Sequence, residues 1–192
     1  MNSATLLPTT PTPVTSQKIQ LVDSELADSL VGLPYLFSRL TYADELTIHF
    51  GEERRHTHPK LSGKVRGTHI VSLRGSAWLL RSEVKSIVIG SGFSSLMGPM
   101  DVVSKYNMTA LESGALIEPN ATVVKATPMA VAPLNAIGLT LELSDGSMFL
   151  ILPTAPDASD ADDLPEPADW ELLTPTRLLR VGPGSNIEIN PS

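Results

Sequence analysis

The chain contains no cysteine, which excludes disulfide bonds, thiol catalysis and metal sites built on thiolates. Aromatic residues make up only 5% of the sequence, so the core must be built mainly from aliphatic side chains. Basic residues are also scarce, and 14 Lys and Arg against 21 Asp and Glu leave a net charge of −7. Because binding to a phosphate backbone requires clustered cations, we expect no nucleic-acid partner.

Long apolar runs are missing as well. The longest, residues 148–152, ends at Pro153 and is far shorter than a helix that crosses a bilayer. The first 17 residues carry no Lys or Arg and are interrupted by prolines, unlike a secretory signal peptide. We therefore expect no membrane partner and, by default, a cytoplasmic location.

A motif led by tryptophan occurs twice in the chain. Six positions recur with a constant displacement of 92 residues, and residues 46–50 match residues 139–143 with a displacement of 93. The sequence therefore predicts two related halves. The six paired positions are Trp78 and Trp170, Leu80 and Leu172, Ile87 and Leu179, Ile89 and Val181, Gly90 and Gly182, and Gly92 and Gly184.

Short segments with alternating or β-branched apolar residues predict a mainly β protein. We expect two pseudo-repeats packed as one sandwich or barrel-like unit, because each half alone would bury too little surface. One or two short helices complete the prediction, at residues 25–31 with Asp23 or Ser24 as cap, and at residues 101–113. The predicted strands are 45–50, 67–73, 78–81, 85–89, 122–126, 139–143, 148–152, 170–173, 178–181 and 186–189.

Composition divides the chain into four parts. Residues 1–18, rich in Thr and Pro, are predicted to form a flexible tail. Residues 19–98 form the first β-rich pseudo-repeat, residues 99–119 a connector, and residues 120–192 the second pseudo-repeat.

Two segments of opposite charge interrupt the halves. Residues 153–169 are acidic and proline-rich, whereas residues 52–67 are basic, and we place the two in matching positions of the repeats. They are either two independent solvated loops or surfaces for a protein partner. The candidate partner-binding residues are Arg54, Arg55, Asp157, Asp160, Asp162 and Asp163.

Histidines form the best candidate metal site. His56 and His58 are two residues apart, so on a strand they share a face and are able to hold one ion. The pair resembles that of metal-binding cupins, and the resemblance implies a third ligand, here either His49 or His69. The glutamate that cupins place a few residues later is absent, and no histidine follows His69.

Other motifs predict no chemistry. Gly90-Ser91-Gly92 follows an apolar run, but Ser95 stands where a dinucleotide-binding fingerprint needs its third glycine. The acidic segment lacks the alternating ligands and central glycine of an EF-hand. We interpret Trp78 and Trp170 as core anchors, the alternative being an exposed pair that stacks on sugars or peptides.

These observations favour a non-catalytic protein-binding or assembly protein without a cofactor. Its partner would be another protein, and homo-oligomerisation stays open. Two alternatives remain: a metal-dependent, cupin-like enzyme that uses the His56 and His58 pair, and an immunity or inhibitor protein directed against a basic toxin.

Overall fold

The computed structural model describes residues 14–40, 45–56, 60, 62–73, 76–91, 105–153 and 169–192. Within them the chain forms two helices and eleven strands. In chain order these are α1 (Ser16–Leu30), β1 (Tyr35–Leu40), β2 (Leu46–Arg55), β3 (Val65–Leu73), β4 (Ser76–Ser82), β5 (Ile87–Ser91), α2 (Lys105–Glu112), β6 (Val123–Val131), β7 (Ala136–Leu143), β8 (Met148–Pro153), β9 (Trp170–Leu173), β10 (Arg177–Gly182) and β11 (Asn186–Pro191).

The strands form two antiparallel sheets. One has six strands in the order β1-β2-β3-β9-β10-β11, and the other has five in the order β5-β4-β8-β7-β6. The prediction of a mainly β protein with one or two short helices is confirmed. The sheets do not close into a barrel and form a sandwich-like arrangement. No helix among these residues has the length and hydrophobicity needed to cross a membrane.

A single hydrophobic cluster joins both sheets and both helices. Along β2 the side chains of Leu46, Ile48 and Phe50 are buried, as the two-residue period of a strand requires when one face meets the core. Trp78 and Trp170 are the largest fully buried side chains. They are therefore core anchors, as predicted, and not an exposed stacking pair.

The two halves add their strands in the same order but to opposite sheets, and the chain of each half passes from one sheet to the other. Strands β1–β3 form a meander in the six-stranded sheet, and the chain then crosses to add β4 and β5 to the other sheet. Strands β6–β8 form a meander in the five-stranded sheet, and the chain then crosses back to add β9 and β10. The helices follow the same pattern: α1, which precedes β1, packs against β6, and α2, which precedes β6, packs against β1.

Hydrogen bonds where the two halves meet show the same correspondence between the halves. The segments that precede β1 and β6 meet at an isolated antiparallel bridge between Pro34 and Thr122. The carbonyl of Pro34 accepts from the N–H of Gly51, and the carbonyl of Thr122 accepts from the N–H of Ser144, both at 2.8 Å. These four residues occupy equivalent places in the two halves, so the connectivity has an internal two-fold relation.

Helix α1 is longer than predicted. It begins at Ser16, and its cap is Thr15, whose hydroxyl accepts from the N–H of Lys18 at 3.3 Å. The proposed caps Asp23 and Ser24 were therefore wrong, and the last residues of the predicted tail belong to the first turn. The buried row at Val22, Leu26 and Leu30 has the spacing of one helix face, which explains why the helix extends through the polar residues between them.

The charged segments do not occupy matching positions, which corrects the sequence interpretation. The basic segment belongs to the β2–β3 hairpin, whose counterpart in the second half is the β7–β8 turn. The acidic segment joins β8 to β9, and its counterpart is the short crossing from β3 to β4. Its candidate residues Asp157, Asp160, Asp162 and Asp163 lie outside the described residues.

Candidate binding groove

An open groove of about 590 Å³ lies against the six-stranded sheet. The side chains that line it from the sheet come from β1, β2, β3, β9 and β10, and the end of the β2–β3 hairpin supplies two more. The lining residues are Arg39, Leu40, Thr47, His49, His56, Lys64, Ile70, Ser72, Glu171, Leu173 and Leu178.

The register of the strands aligns these residues in two rows on the outer face of the sheet. One row is largely apolar and the other is polar, and adjacent residues in each row are direct partners on neighbouring strands. Because core residues alternate with these positions, both rows face away from the hydrophobic cluster. The apolar row is Phe37, His49, Ile70, Leu173 and Leu178, and the polar row is Arg39, Thr47, Ser72, Glu171 and Arg180.

The outer part of the β2–β3 hairpin bends back over this face. The pairing of β2 with β3 shifts between Phe50 and Glu53, which marks a bulge. Beyond the bulge, the carbonyl of Val65 accepts from Arg39 Nη1 at 3.0 Å. Yet Arg39 is the strand partner of Thr47, which in turn is the partner of Ser72 on β3. Along an extended β3, Ser72 and Val65 would be about 23 Å apart. Only a hairpin folded back onto the sheet brings these groups together.

His49 ties the folded hairpin to the sheet. Its Nδ1 accepts from the backbone N–H of Gly67 at 3.1 Å, so its proton lies on Nε2, which donates to Thr47 Oγ1 at 3.3 Å. The ring also stacks on Phe37, with the centroids 4.4 Å apart. A glycine is required at position 67, because a Cβ there would lie 2.5 Å from the carbonyl oxygen of Phe50.

Burial lowers the pKa of His49 from its ordinary value of 6.5 to about 4. Electrostatic repulsion from the basic side chains of Arg39, His56 and Arg66 lowers this pKa further. His49 is therefore neutral at neutral pH.

The pKa of His49 predicts a dependence of stability on pH. Below pH 6.5 the unfolded chain takes up a proton at this side chain, whereas the folded protein does so only near pH 4. The free energy of unfolding should therefore fall as the pH falls from 6.5 to 4, by up to about 3 kcal/mol. Urea unfolding at several pH values measures this loss.

The matched control for this prediction is His49→Asn, in which the amide oxygen is able to accept from Gly67. The variant should lose the part of the pH dependence that belongs to His49. Since burial also lowers the pKa of His69, some dependence should remain in both proteins. Parallel curves for the two proteins between pH 6.5 and 4 would contradict the assignment.

Cations form one wall of the groove. Arg39 lies over the Phe37 ring, 4.5 Å from its centroid, and its bond to Val65 holds it there. On the hairpin, Arg54 is the strand partner of Arg66, and strand alternation places both on the face that carries His56 and Lys64. Arg55 lies on the opposite face, so Arg54 and Arg55 do not form one patch.

The far side of the groove is largely apolar. Ile70, Leu173 and Leu178 are neighbours across β3, β9 and β10. The one carboxylate among the lining residues, Glu171, accepts from Arg180 Nε at 2.8 Å and is largely buried by its surroundings. The groove thus joins a cationic wall to an apolar floor.

The predicted histidine site is only partly within the described residues. His49 and His69 lie on opposite faces of the sheet, because His69 is the partner of Phe50, the next residue after His49. Both ring nitrogens of His49 are occupied by hydrogen bonds. His56 lines the groove, and His58 lies outside the described residues. Across the described ranges, no three His, Asp or Glu side chains are grouped to hold a metal ion.

Sequence reasoning missed most of the groove. Phe37 and Arg39 lie on β1, which was not predicted, and Ile70, Leu173 and Leu178 were treated only as strand residues. Their alignment depends on the pairing of β3 with β9, which are about 100 residues apart in sequence.

No protein-family model matches the chain, and no similarity was found to curated proteins or to solved structures.

Proposed function

We propose that this chain is a non-catalytic protein-binding or accessory protein of the cytoplasm, and that it binds its partner in the groove on the six-stranded sheet. The observation that carries the proposal is the combination of a cationic wall, formed by Arg39 and Lys64 beside His56, with an apolar floor. Interfaces typically combine an apolar centre with a charged rim that guides association.

The chemistry of the groove favours binding over catalysis. Its most buried titratable group, His49, is neutral and has both nitrogens engaged, so it is poorly placed to act as a general base. Glu171 is held by Arg180. The hydroxyl of Thr47 donates to the carbonyl of Arg39 at 3.3 Å, which leaves it without a base to activate it.

We also infer that the chain arose by internal duplication. The repeated order of strands, the exchanged helices and the paired bonds at Pro34 and Thr122 support a common origin for the halves. Only the first half carries a folded-back hairpin, because the β7–β8 connection in the second half is a tight turn around Gly146. The binding groove would then be an addition to one of two equivalent sheet faces.

The proposal predicts that reversing charge on the hairpin abolishes partner capture. Arg54→Glu combined with Lys64→Glu replaces attraction by repulsion at the rim and should leave the thermal midpoint nearly unchanged, since both side chains are exposed. Native mass spectrometry of complexes captured from a lysate of the source organism measures the effect.

The matched control is Lys125→Glu, an exposed reversal on the five-stranded sheet. Capture should be unaffected in this variant. Arg55→Glu should also have less effect than Arg54→Glu, because Arg55 lies on the far face of the hairpin. Equal capture by all of these proteins would refute the proposed surface.

A further inference from the structure

We infer that the groove recognises an extended acidic segment of a partner protein that also carries an aliphatic side chain. This inference rests on the proposed function and names the chemistry of the partner. It follows from three features of the groove: the sign of its charges, the position of its apolar residues and its openness along one side.

The charges select an anionic ligand. Cations reach the groove from β1, through Arg39, and from the hairpin, through Lys64. Arg39 is fixed by the Phe37 ring and the Val65 carbonyl, so its charge is positioned before a ligand arrives. Glu171, the carboxylate on the opposite side, accepts from Arg180, which also pairs with Glu188 at 3.8 Å. The Glu171 side chain is only 14% exposed, which limits its repulsion of an anionic ligand.

The apolar residues set the spacing within the ligand. Leu173 lies on β9, two strands from β2 and three strands from β1. Neighbouring strands are about 4.8 Å apart, so Leu173, the middle residue of the apolar floor, lies about 10–14 Å from the cationic wall. An extended chain covers this distance in about three or four residues. The ligand therefore has acidic residues followed, three or four positions away, by Leu, Ile or a similar side chain.

The open shape favours a polypeptide over a small molecule. Sites for small ligands usually enclose most of the ligand surface, whereas this groove is exposed to solvent along the face of the sheet. Five strands contribute to it, which gives a width of about 19 Å, enough for about six extended residues.

The test uses a fluorescein-labelled peptide in which two glutamates are separated from one leucine by three serines. Fluorescence anisotropy should show saturable binding that weakens as salt is raised, because the ion pairs are exposed. Two control peptides, with glutamine in place of the glutamates or serine in place of the leucine, should each bind at least about tenfold more weakly. No saturable binding by about 1 mM would overturn the inference.

Protein variants identify where the peptide binds. Lys64→Glu and Leu178→Ser should each weaken binding about tenfold, whereas Lys125→Glu and Val88→Ser, exposed positions on the other sheet, should have no effect. Equal effects of all four variants would overturn the site.

Two further outcomes separate this inference from the proposed function. If octanoate displaces the peptide at equal concentration, the groove is a site for small amphiphilic acids and the polypeptide inference fails. If capture of the natural partner depends on the hairpin charges but the peptide does not bind, the proposed function stands and the partner chemistry inferred here is wrong.

Discussion

Replacing Trp170 with alanine should destabilise the protein by about 3–5 kcal/mol, the range measured for removal of large buried aromatic side chains. The side chain of Trp170 is completely buried, and its indole Nε1 donates to the carbonyl of Ile137 at 2.7 Å. This bond connects β9 of the six-stranded sheet to β7 of the other sheet. The variant would therefore lose packing and also leave a buried carbonyl without its donor.

Urea unfolding followed by circular dichroism measures this loss. Trp170→Phe separates its two causes, because phenylalanine fills part of the space but cannot donate to Ile137, and we expect a loss of about 1–3 kcal/mol. Val88→Ala, at a position 51% exposed, should change stability by less than about 0.5 kcal/mol. A loss below about 1 kcal/mol for Trp170→Ala would show that the sheets are not joined as described.

The second large effect concerns helix α1. Leu26→Ala should cost about 2–5 kcal/mol, because Leu26 is fully buried in the cluster shared by both sheets. The helix is also attached at two points along its length, where Lys18 Nζ donates to the carbonyl of Ser185 and Arg177 pairs with Glu25. We therefore expect the loss to appear as reduced global stability and not as local fraying of the helix.

Leu21 provides the matched control within the same helix. It is 45% exposed, and Leu21→Ala keeps helix propensity high, so the variant should be within about 0.5 kcal/mol of the parent. Similar stabilities for Leu26→Ala and Leu21→Ala would contradict the packing of α1 against β6. Thermal and urea unfolding of both variants under the same conditions decide between these outcomes.

The sequence predicted the fold class because local patterns carried it. All ten predicted strands correspond to strands of the structure. In strands such as β8 and β9 the buried residues alternate with partly exposed ones, which is the local pattern that the prediction used. Strand β1 was missed because apolar side chains occur on both its faces, where Phe37 stacks on His49 outside the core, and the alternation is lost.

The groove could not be predicted in the same way. Its floor depends on which strands become neighbours, and the pairing of Ile70 with Leu173 has no local signal. The folded-back hairpin likewise results from a bulge and from the bond between Gly67 and His49. The sequence did reveal the charge of the hairpin, but alternation along β2 separates Arg54 from Arg55, which the composition had grouped together.

The crossing of the two halves has a consequence for synthesis on the ribosome. When β5 has emerged, β3 and β4 both still lack a neighbour that lies far ahead in the chain, β9 and β8 respectively. Neither sheet is complete until the second half has been made, so exposed strand edges persist through much of translation. We expect folding to be late and slow, because its decisive contacts join distant residues. The nascent chain should therefore depend on chaperones that bind unpaired strands.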